Sequence, residues 1–361
     1  MENKRFRNQI SWLMFGFSIL VIWVHSYNVE LFAGSSWGPE WDRAAQIETF
    51  WSIGIGQIAV PGFFLLSSYL LFRNFEFSKL TGKWKSRFFS IVVPYAVWNF
   101  LYYLGYVIAT RIPMVEKVVG KETIPFNIEE ILCAIFQYSY APIFWYLFQL
   151  IILLVLAPLI YAFVKNRLIG LIYLTVILAL IYVRFDTGCP NMDALFYFSF
   201  AAYGAVQWRE WLEQKGTGDR VFAGIVLLIP AVYSYGMMKV SGANVLWTIG
   251  YRLLVPVSVW FMTSAIELPE TKSWMRQSLF LYAIHYIIVR FINKGAAMIL
   301  VKGIEAGVVS ESLMAGAAIG IYFAIPILVV VISYPIALTL SKYLPMVWRV
   351  LSGGRNLQKT L

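Results

Sequence analysis

Residues 10–28, ISWLMFGFSILVIWVHSYN, form an apolar stretch that is long enough to cross a bilayer as a helix. This stretch contains His25, one of only two histidines in the 361 residues. Counting back from His25 in helical steps of four and three residues places these side chains on the same face: Val21, Ser18, Met14 and Ser11. An ionisable side chain in a membrane span usually faces the bundle interior or a wet cavity. The stretch therefore predicts a membrane helix whose polar stripe faces other helices.

The composition of the chain excludes an ordinary soluble domain, since 60% of the residues are hydrophobic and only 13% are charged. The apolar residues form continuous runs of about 20 residues rather than the alternating pattern of a β-barrel. We predict an all-α, polytopic transmembrane bundle of about ten spans in a lipid bilayer. The net charge of +10 would suggest nucleic acid in a soluble protein. Here the positive-inside bias explains most of it, so no nucleic-acid partner is expected.

The distribution of basic residues predicts that both termini are cytoplasmic. The strongest cluster lies in residues 73–87, directly after the second apolar stretch, while residues 30–48 contain one basic residue and are predicted to be an outside loop. A short interfacial helix is expected within residues 128–140. The predicted spans are 10–28, 49–72, 88–108, 144–163, 168–183, one ending at 209, 221–238, 244–266, one starting near 273, and 312–340. Residues 1–345 are predicted to form one transmembrane domain, and 346–361 a short basic cytoplasmic tail.

The second histidine lies in the ninth span within a polar pattern. Ser278, Tyr282 and His285 are spaced at i, i+4 and i+7, which is one face of a helix. Two histidines at similar depth favour acid–base chemistry on a hydroxyl group, or equally a proton relay in a transporter. The spacing alone leaves both interpretations open.

Two arginines, Arg252 and Arg290, are predicted to lie in the outer half of the membrane at a depth similar to that of His25. Long cationic side chains at such positions often extend to the interface. The alternative is a positively charged wet cavity suited to an anionic group or an oxyanion. Cys133 and Cys189 fit no metal-ligand spacing, so no metal site is predicted, and a disulfide between them is geometrically possible but unsupported.

Five segments in order have a specific resemblance to a known family. They are residues 10–26, the helix ending in histidine; 60–71, VPGFFLLSSYLL; 87–98, RFFSIVVPYAVW; 141–152, APIFWYLFQLII; and 278–289, SLFLYAIHYIIV. In this order they resemble the sequence blocks of the acyltransferase-3 family of bacterial integral membrane O-acyltransferases. The resemblance extends over about residues 10–340.

The resemblance implies transfer of an acyl group, commonly acetyl, from cytoplasmic acyl-CoA to a hydroxyl of a surface glycan or lipid-linked saccharide. Acetyl-CoA is then a co-substrate, no cofactor is bound permanently, and the location is the bacterial plasma membrane. The family's helix-1 histidine corresponds to His25, the expected general base, and its helix-9 histidine to His285. Arg87 and Ser68 are expected to bind the acyl-CoA. The residues expected to bind the acceptor are Arg252, Arg290, Tyr282, Ser278 and Trp145.

The sequence departs from the family pattern at two positions on the predicted cytoplasmic side. Met14 stands eleven residues before His25, where the family has arginine or lysine, and Ser90 stands where a second arginine follows Arg87. Both losses concern cations that would face the phosphates of coenzyme A. The alternative functions are a membrane transporter of a saccharide, lipid or anion, and a catalytically silent member of the family.

Overall fold

The computed structural model describes residues 2–34, 37–185, 187–240, 242–305, 310–355 and 357, and these residues are helical with no β-strand. The prediction of an all-α fold is confirmed. In chain order the α-helices of the described residues are α1 (Glu2–Ser26), α2 (Val29–Ala33), α3 (Pro39–Thr49), α4 (Ala59–Phe72), α5 (Leu80–Arg87), α6 (Val93–Ala109), α7 (Pro113–Val119), α8 (Ile128–Gln137), α9 (Trp145–Val164), α10 (Arg167–Tyr182), α11 (Met192–Gln207), α12 (Arg209–Glu213), α13 (Gly218–Met238), α14 (Val245–Ala265), α15 (Ser278–Glu305), α16 (Glu311–Tyr343) and α17 (Pro345–Leu351).

Eight helical stretches of the described chain are long and apolar enough to cross a membrane. They are Lys4–Ala33, Pro39–Phe72, Phe77–Ala109, Pro142–Val164, Gly218–Met238, Val245–Ala265, Ser278–Lys302 and Ser312–Tyr343. The shorter apolar helix α10 and the mostly buried helix α11 occupy the places of the fifth and sixth predicted spans. About ten spans is therefore consistent with the structure. The cytoplasmic location of the termini stays a prediction.

The segment predicted as an outside loop, residues 30–48, is largely helical instead. Pro39 occupies the first turn of α3, where its fixed φ suits a helix start. Trp41 and Ala44 are buried at 2% and 0% exposure, so packing stabilises a helix that the mixed polar composition does not suggest. A π-helical turn at Phe50–Ile55 then continues from α3 towards α4. The ninth span also begins later than predicted, at Ser278, after a 3₁₀ turn at Ser273–Met275.

Helix α1 lies inside the bundle and contacts α4, α15 and α16. Gly62 of α4 faces the ring of Phe17, and a Cβ at that position would overlap the ring. Glycine therefore allows α1 and α4 to pack closely at this point. Of the predicted polar stripe of α1, Ser18 and Val21 are buried, and Ser11, Met14 and His25 are partly exposed.

Helices α13 and α14 form a hairpin that is bound together along its length. Ser258 Oγ donates to the carbonyl oxygen of Gly224 at 2.6 Å, across the two helices. A Cβ on Gly224 would overlap the backbone oxygen of Ser258 and the side chain of Met262. Because α13 packs chiefly against α14, most of its apolar surface is exposed on the outside of the bundle.

Candidate functional site

The two histidines are 260 residues apart in the sequence and belong to different helices, yet they lie side by side in the fold. His25, at the end of α1, and His285 of α15 have ring centroids 5.3 Å apart at an interplanar angle of 44°. His285 is fully buried, whereas His25 is partly exposed. The structure thus brings together the two residues predicted to be catalytic, and of the two only His25 has exposed surface.

The hydrogen bonding of His285 defines its tautomer. Its Nδ1 lies within hydrogen-bonding distance of the carbonyl oxygen of Tyr282, which can only accept. Nδ1 therefore carries the proton in the neutral ring, and Nε2 has a lone pair. That Nε2 is buried and has no hydrogen-bond partner among the described residues. A buried acceptor of this kind is suited to accept a hydrogen bond from a bound substrate or from His25.

An asparagine network next to the histidines ties the end of α1 to α15. Asn293 Nδ2 donates to the carbonyl oxygen of Ser26 at 3.2 Å, and Asn28 Nδ2 donates to Asn293 Oδ1 at 3.3 Å. The Asn28 backbone N–H in turn donates to the buried carboxylate of Glu48 at 2.9 Å. These bonds fix the relative height of the two helices, and hence the spacing of the imidazoles. Sequence reasoning missed Asn293, which lies just over two turns after His285 on the same helix.

The two predicted intramembrane arginines occupy different places. Arg290 Nη1 donates to Tyr106 Oη at 3.1 Å, and its guanidinium lies 5.1 Å from the ring centre of Tyr286. Tyr286 in turn meets the ring of His25 edge-on at 5.5 Å, so Arg290 is one aromatic ring away from the histidine pair. Arg252 instead donates a hydrogen bond to Gln57.

A cavity of about 640 Å³ lies nearer the other end of α1. Its walls come from α1, α4, the start of the third span, α9, the start of α15 and the C-terminal segment. The polar and charged residues that line it are Ser11, Ser67, Arg87, Tyr146, Arg276, Ser278, Tyr282 and Arg355, and Met14 lines it as well. No acidic residue of the described chain lines this cavity. The volume is within the usual range for a small-molecule pocket.

Tyr282 connects the cavity to the histidine pair. It lines the cavity, and its ring centroid is 5.9 Å from that of His285. Its hydroxyl donates to the carbonyl oxygen of Ile143. Neither histidine is among the described residues that line the cavity, so the acid–base groups lie just beyond its inner end. Tyr282 thus lies between the arginine-lined cavity and the imidazole pair.

Four residues predicted to bind ligands do not line this cavity: Arg252 and Arg290, described above, and Ser68 and Trp145. Ser68 is completely buried and its hydroxyl donates to the carbonyl oxygen of Phe198, so it joins α4 to α11, while its neighbour Ser67 lines the cavity. Trp145 is 38% exposed at the start of α9, while the next residue, Tyr146, lines the cavity. The ligand-binding roles of these residues stay predictions.

Tyr146, Arg276 and Arg355 also line the cavity, and the two arginines were not found from the sequence. Tyr146 accepts or donates a hydrogen bond with Ser67 at 3.3 Å, and Arg276 donates through Nη2 to the backbone oxygen of Thr271 at 2.6 Å. Arg355 was included in the basic tail, which gives no signal of a position inside the bundle. The two cysteines, Cys133 and Cys189, are free thiols.

The fold and the site together define a polytopic membrane protein in which paired imidazoles and an arginine-lined cavity share one helical bundle. The family model described as "Acyltransferase domain", that of the acyltransferase-3 family, matches residues 9–343. Because this match covers nearly the whole chain, the chain belongs to the acyltransferase-3 family, as its sequence blocks predict. Membership supports a membrane acyltransferase in general terms. No curated protein and no solved structure matches the chain.

Proposed function

We propose that this protein transfers an acyl group, with acetyl as the first candidate, from acyl-CoA to a hydroxyl of a saccharide or lipid-linked glycan. The observation that carries the proposal is the pairing of His25 with His285 at 5.3 Å, beyond the inner end of a cavity that contains three arginines. Phosphates of the donor bind best to guanidinium groups, and deprotonation of a hydroxyl requires a base such as imidazole. Both kinds of group are present in one bundle.

The chemical step requires only the groups at the histidine pair. The acceptor oxygen forms a bond to the acyl carbonyl carbon, and the carbon–sulfur bond of the thioester breaks. His25 takes the hydroxyl proton and passes it to the departing thiolate, which leaves as coenzyme A. We assign the base to His25 because it is partly exposed, whereas His285 is fully buried.

His285 has a positioning role in this proposal. Its Nδ1–H donates to the backbone oxygen of Tyr282, so its Nε2 is available to accept a hydrogen bond from a ring N–H of His25. Such a bond would leave the second nitrogen of His25 as the base and would stabilise the imidazolium after proton transfer. Arg290, one ring away through Tyr286, is positioned to attract an anionic acceptor.

The distance between donor and base determines how the donor must lie. Met14 lines the cavity and stands eleven residues before His25, which corresponds to about 16 Å along an α-helix. A donor whose phosphates bind at the arginines must therefore reach the histidines with its long pantetheine arm. The arm would pass Tyr282, which lies between the two regions.

The test is an acyl-transfer assay with the purified full-length protein in lipid nanodiscs. Radiolabelled acetyl-CoA is supplied with candidate glycan acceptors, and both labelled product and released thiol are measured. Transfer that depends on His25 supports the proposal. A protein that moves a labelled saccharide across vesicles without any thiol release would instead be a transporter, and the proposal would fail.

A further inference from the structure

The C-terminal segment, residues 345–355, folds back against the bundle. Trp348 is buried and its ring centroid lies 5.1 Å from that of Phe280, while Trp98 Nε1 donates to the carbonyl oxygen of Leu351 at 3.0 Å. These contacts join the segment to α15 and α6. The segment is therefore part of the packed structure, and it lies beyond residue 343, where the family match ends.

Two glycines turn the chain back towards the cavity after α17. Gly353 and Gly354 have φ angles of 65° and 77°, which side chains other than glycine rarely adopt. A Cβ on Gly353 would also overlap the carbonyl oxygen of Ser90, at the start of the third span. Glycine is thus required at position 353 for two reasons: the positive φ angle and the close approach to the backbone of Ser90.

The backbone of Arg355 is held in place after this turn. Its carbonyl oxygen accepts from Trp348 Nε1 at 3.0 Å and from Ser352 Oγ at 3.3 Å. Its Nη1 donates to the backbone oxygen of Ser352 at 3.0 Å, and among the described residues its other guanidinium N–H groups are left for a ligand. The side chain lines the same cavity as Arg87 and Arg276.

Arg87 and Arg355 bring two positive charges to the wall of the cavity. In the part of the chain that the structure describes, no carboxylate lies within ion-pair distance of Arg87 or Arg355. Burial and then the nearby charge of Arg87 lower the pKa of Arg355 to about 10, so it is still protonated at neutral pH. Like charges held together in a partly dehydrated space are unfavourable unless an anion binds between them.

We propose that residues 345–355 are a built-in part of the donor site, and that Arg355 acts with Arg87 to bind phosphate groups of the nucleotide portion of coenzyme A. The identity of the ligand rests on the proposed function, whereas the arginine-lined cavity does not. Arg355 reaches the cavity from the opposite end of the sequence to α1. It thereby supplies a guanidinium to a site where α1 presents Met14.

The test measures binding of adenosine 3′,5′-bisphosphate and of phosphate-free pantetheine to the purified full chain in phospholipid-free detergent. Arg355→Ala should weaken binding of the bisphosphate by roughly tenfold to hundredfold, as expected for lost charge-assisted hydrogen bonds. Binding of pantetheine should not change. Arg349→Ala is the matched control, because Arg349 belongs to the same segment but is exposed and does not line the cavity.

Two further variants address folding and geometry. Arg355→Lys keeps the charge without the planar fork, so it should recover only part of the affinity. Gly353→Ala keeps Arg355 but displaces the turn from Ser90, and it should lower bisphosphate affinity in a protein that still elutes as a single species. A variant set in which both Arg355→Lys and Gly353→Ala bind the bisphosphate as tightly as the wild type overturns the proposal.

The outcomes separate this inference from the proposed function. Bisphosphate binding that depends on Arg355, in a protein that transfers no acyl group, supports the nucleotide site and defeats the proposed function. Acyl transfer with equal bisphosphate affinity in wild type and Arg355→Ala defeats the inference alone. Displacement of the bisphosphate by added phosphatidylglycerol would place a lipid headgroup in the cavity, and it would overturn the inference as well.

Discussion

The two ends of α1 present opposite solutions to placing polar groups inside a membrane protein. At the histidine end, side chains are close-packed and hydrogen-bonded, with Asn28 and Asn293 connecting the helices. At the cavity end, Arg87 and Arg355 face open volume without a carboxylate nearby in the described residues. The first arrangement fixes geometry and the second attracts a charged ligand. The proposed function therefore assigns donor binding and chemistry to different places, about 16 Å apart along one helix.

This separation predicts that chemistry can be lost without loss of binding. His25→Ala should reduce the rate of acyl transfer by about 10² to 10⁴, the usual contribution of a general base. The affinity for coenzyme A should stay unchanged, because no cavity residue is altered. Transfer assays and calorimetric CoA binding on the same preparation measure both quantities. Near-normal transfer by this variant would remove His25 from the mechanism.

At the cavity end we expect the reverse: donor binding should be lost while the chemical step is kept. Arg87→Ala should raise the KM for the donor roughly tenfold to hundredfold, because charge-assisted bonds to phosphate are lost, while kcat at saturating donor changes little. Lys85→Ala is the matched control, since Lys85 is exposed on the same helix and does not line the cavity. Equal effects of the two substitutions would point to general surface charge rather than a defined site.

Adding a cation at the cavity end of α1 should strengthen donor binding. Met14→Arg introduces another guanidinium into the cavity wall, and we expect donor affinity to rise by up to roughly tenfold at low salt. The gain should shrink at high ionic strength, because salt screens the added attraction. Binding isotherms at two salt concentrations test this. Unchanged or weaker binding would mean that the three arginines already satisfy the donor phosphates.

The smallest effect is expected where a hydroxyl joins two helices. Ser68→Ala should lower stability by about 0.5–1 kcal/mol through loss of the bond to Phe198, with no change in donor affinity. The neighbouring substitution Ser67→Ala tests the other outcome, because Ser67 lines the cavity. Thermal melting in detergent and CoA binding compare the pair. Lost donor binding in Ser68→Ala would restore its predicted role.

The fold was largely predictable because each apolar run must satisfy its backbone hydrogen bonds within itself, and only helices do so in a membrane. The same argument fails at residues 30–48. There, helix α3 is stabilised by burial of Trp41, which composition does not reveal.

The site was predictable where spacing along one helix determined it and unpredictable where distant segments meet. Ser278, Tyr282 and His285 could be assigned to one face from their spacing. The position of Arg355 in the cavity wall could not be predicted, because it depends on how the turn at Gly353 packs against Ser90. The adjacent residues Ser67 and Ser68 give a second example. Ser67 lines the cavity and Ser68 contacts α11, and the sequence alone does not distinguish these two positions.

The hairpin of α13 and α14 has a consequence for how the chain is assembled in the membrane. The contact between Gly224 and Ser258 needs no residue from the rest of the bundle, so the two helices can pair as soon as both have entered the bilayer. We expect the hairpin to leave the translocation machinery as one unit and to dock later. In a single-molecule pulling experiment it should extract from the membrane in a single step, separate from the steps of the histidine-bearing helices.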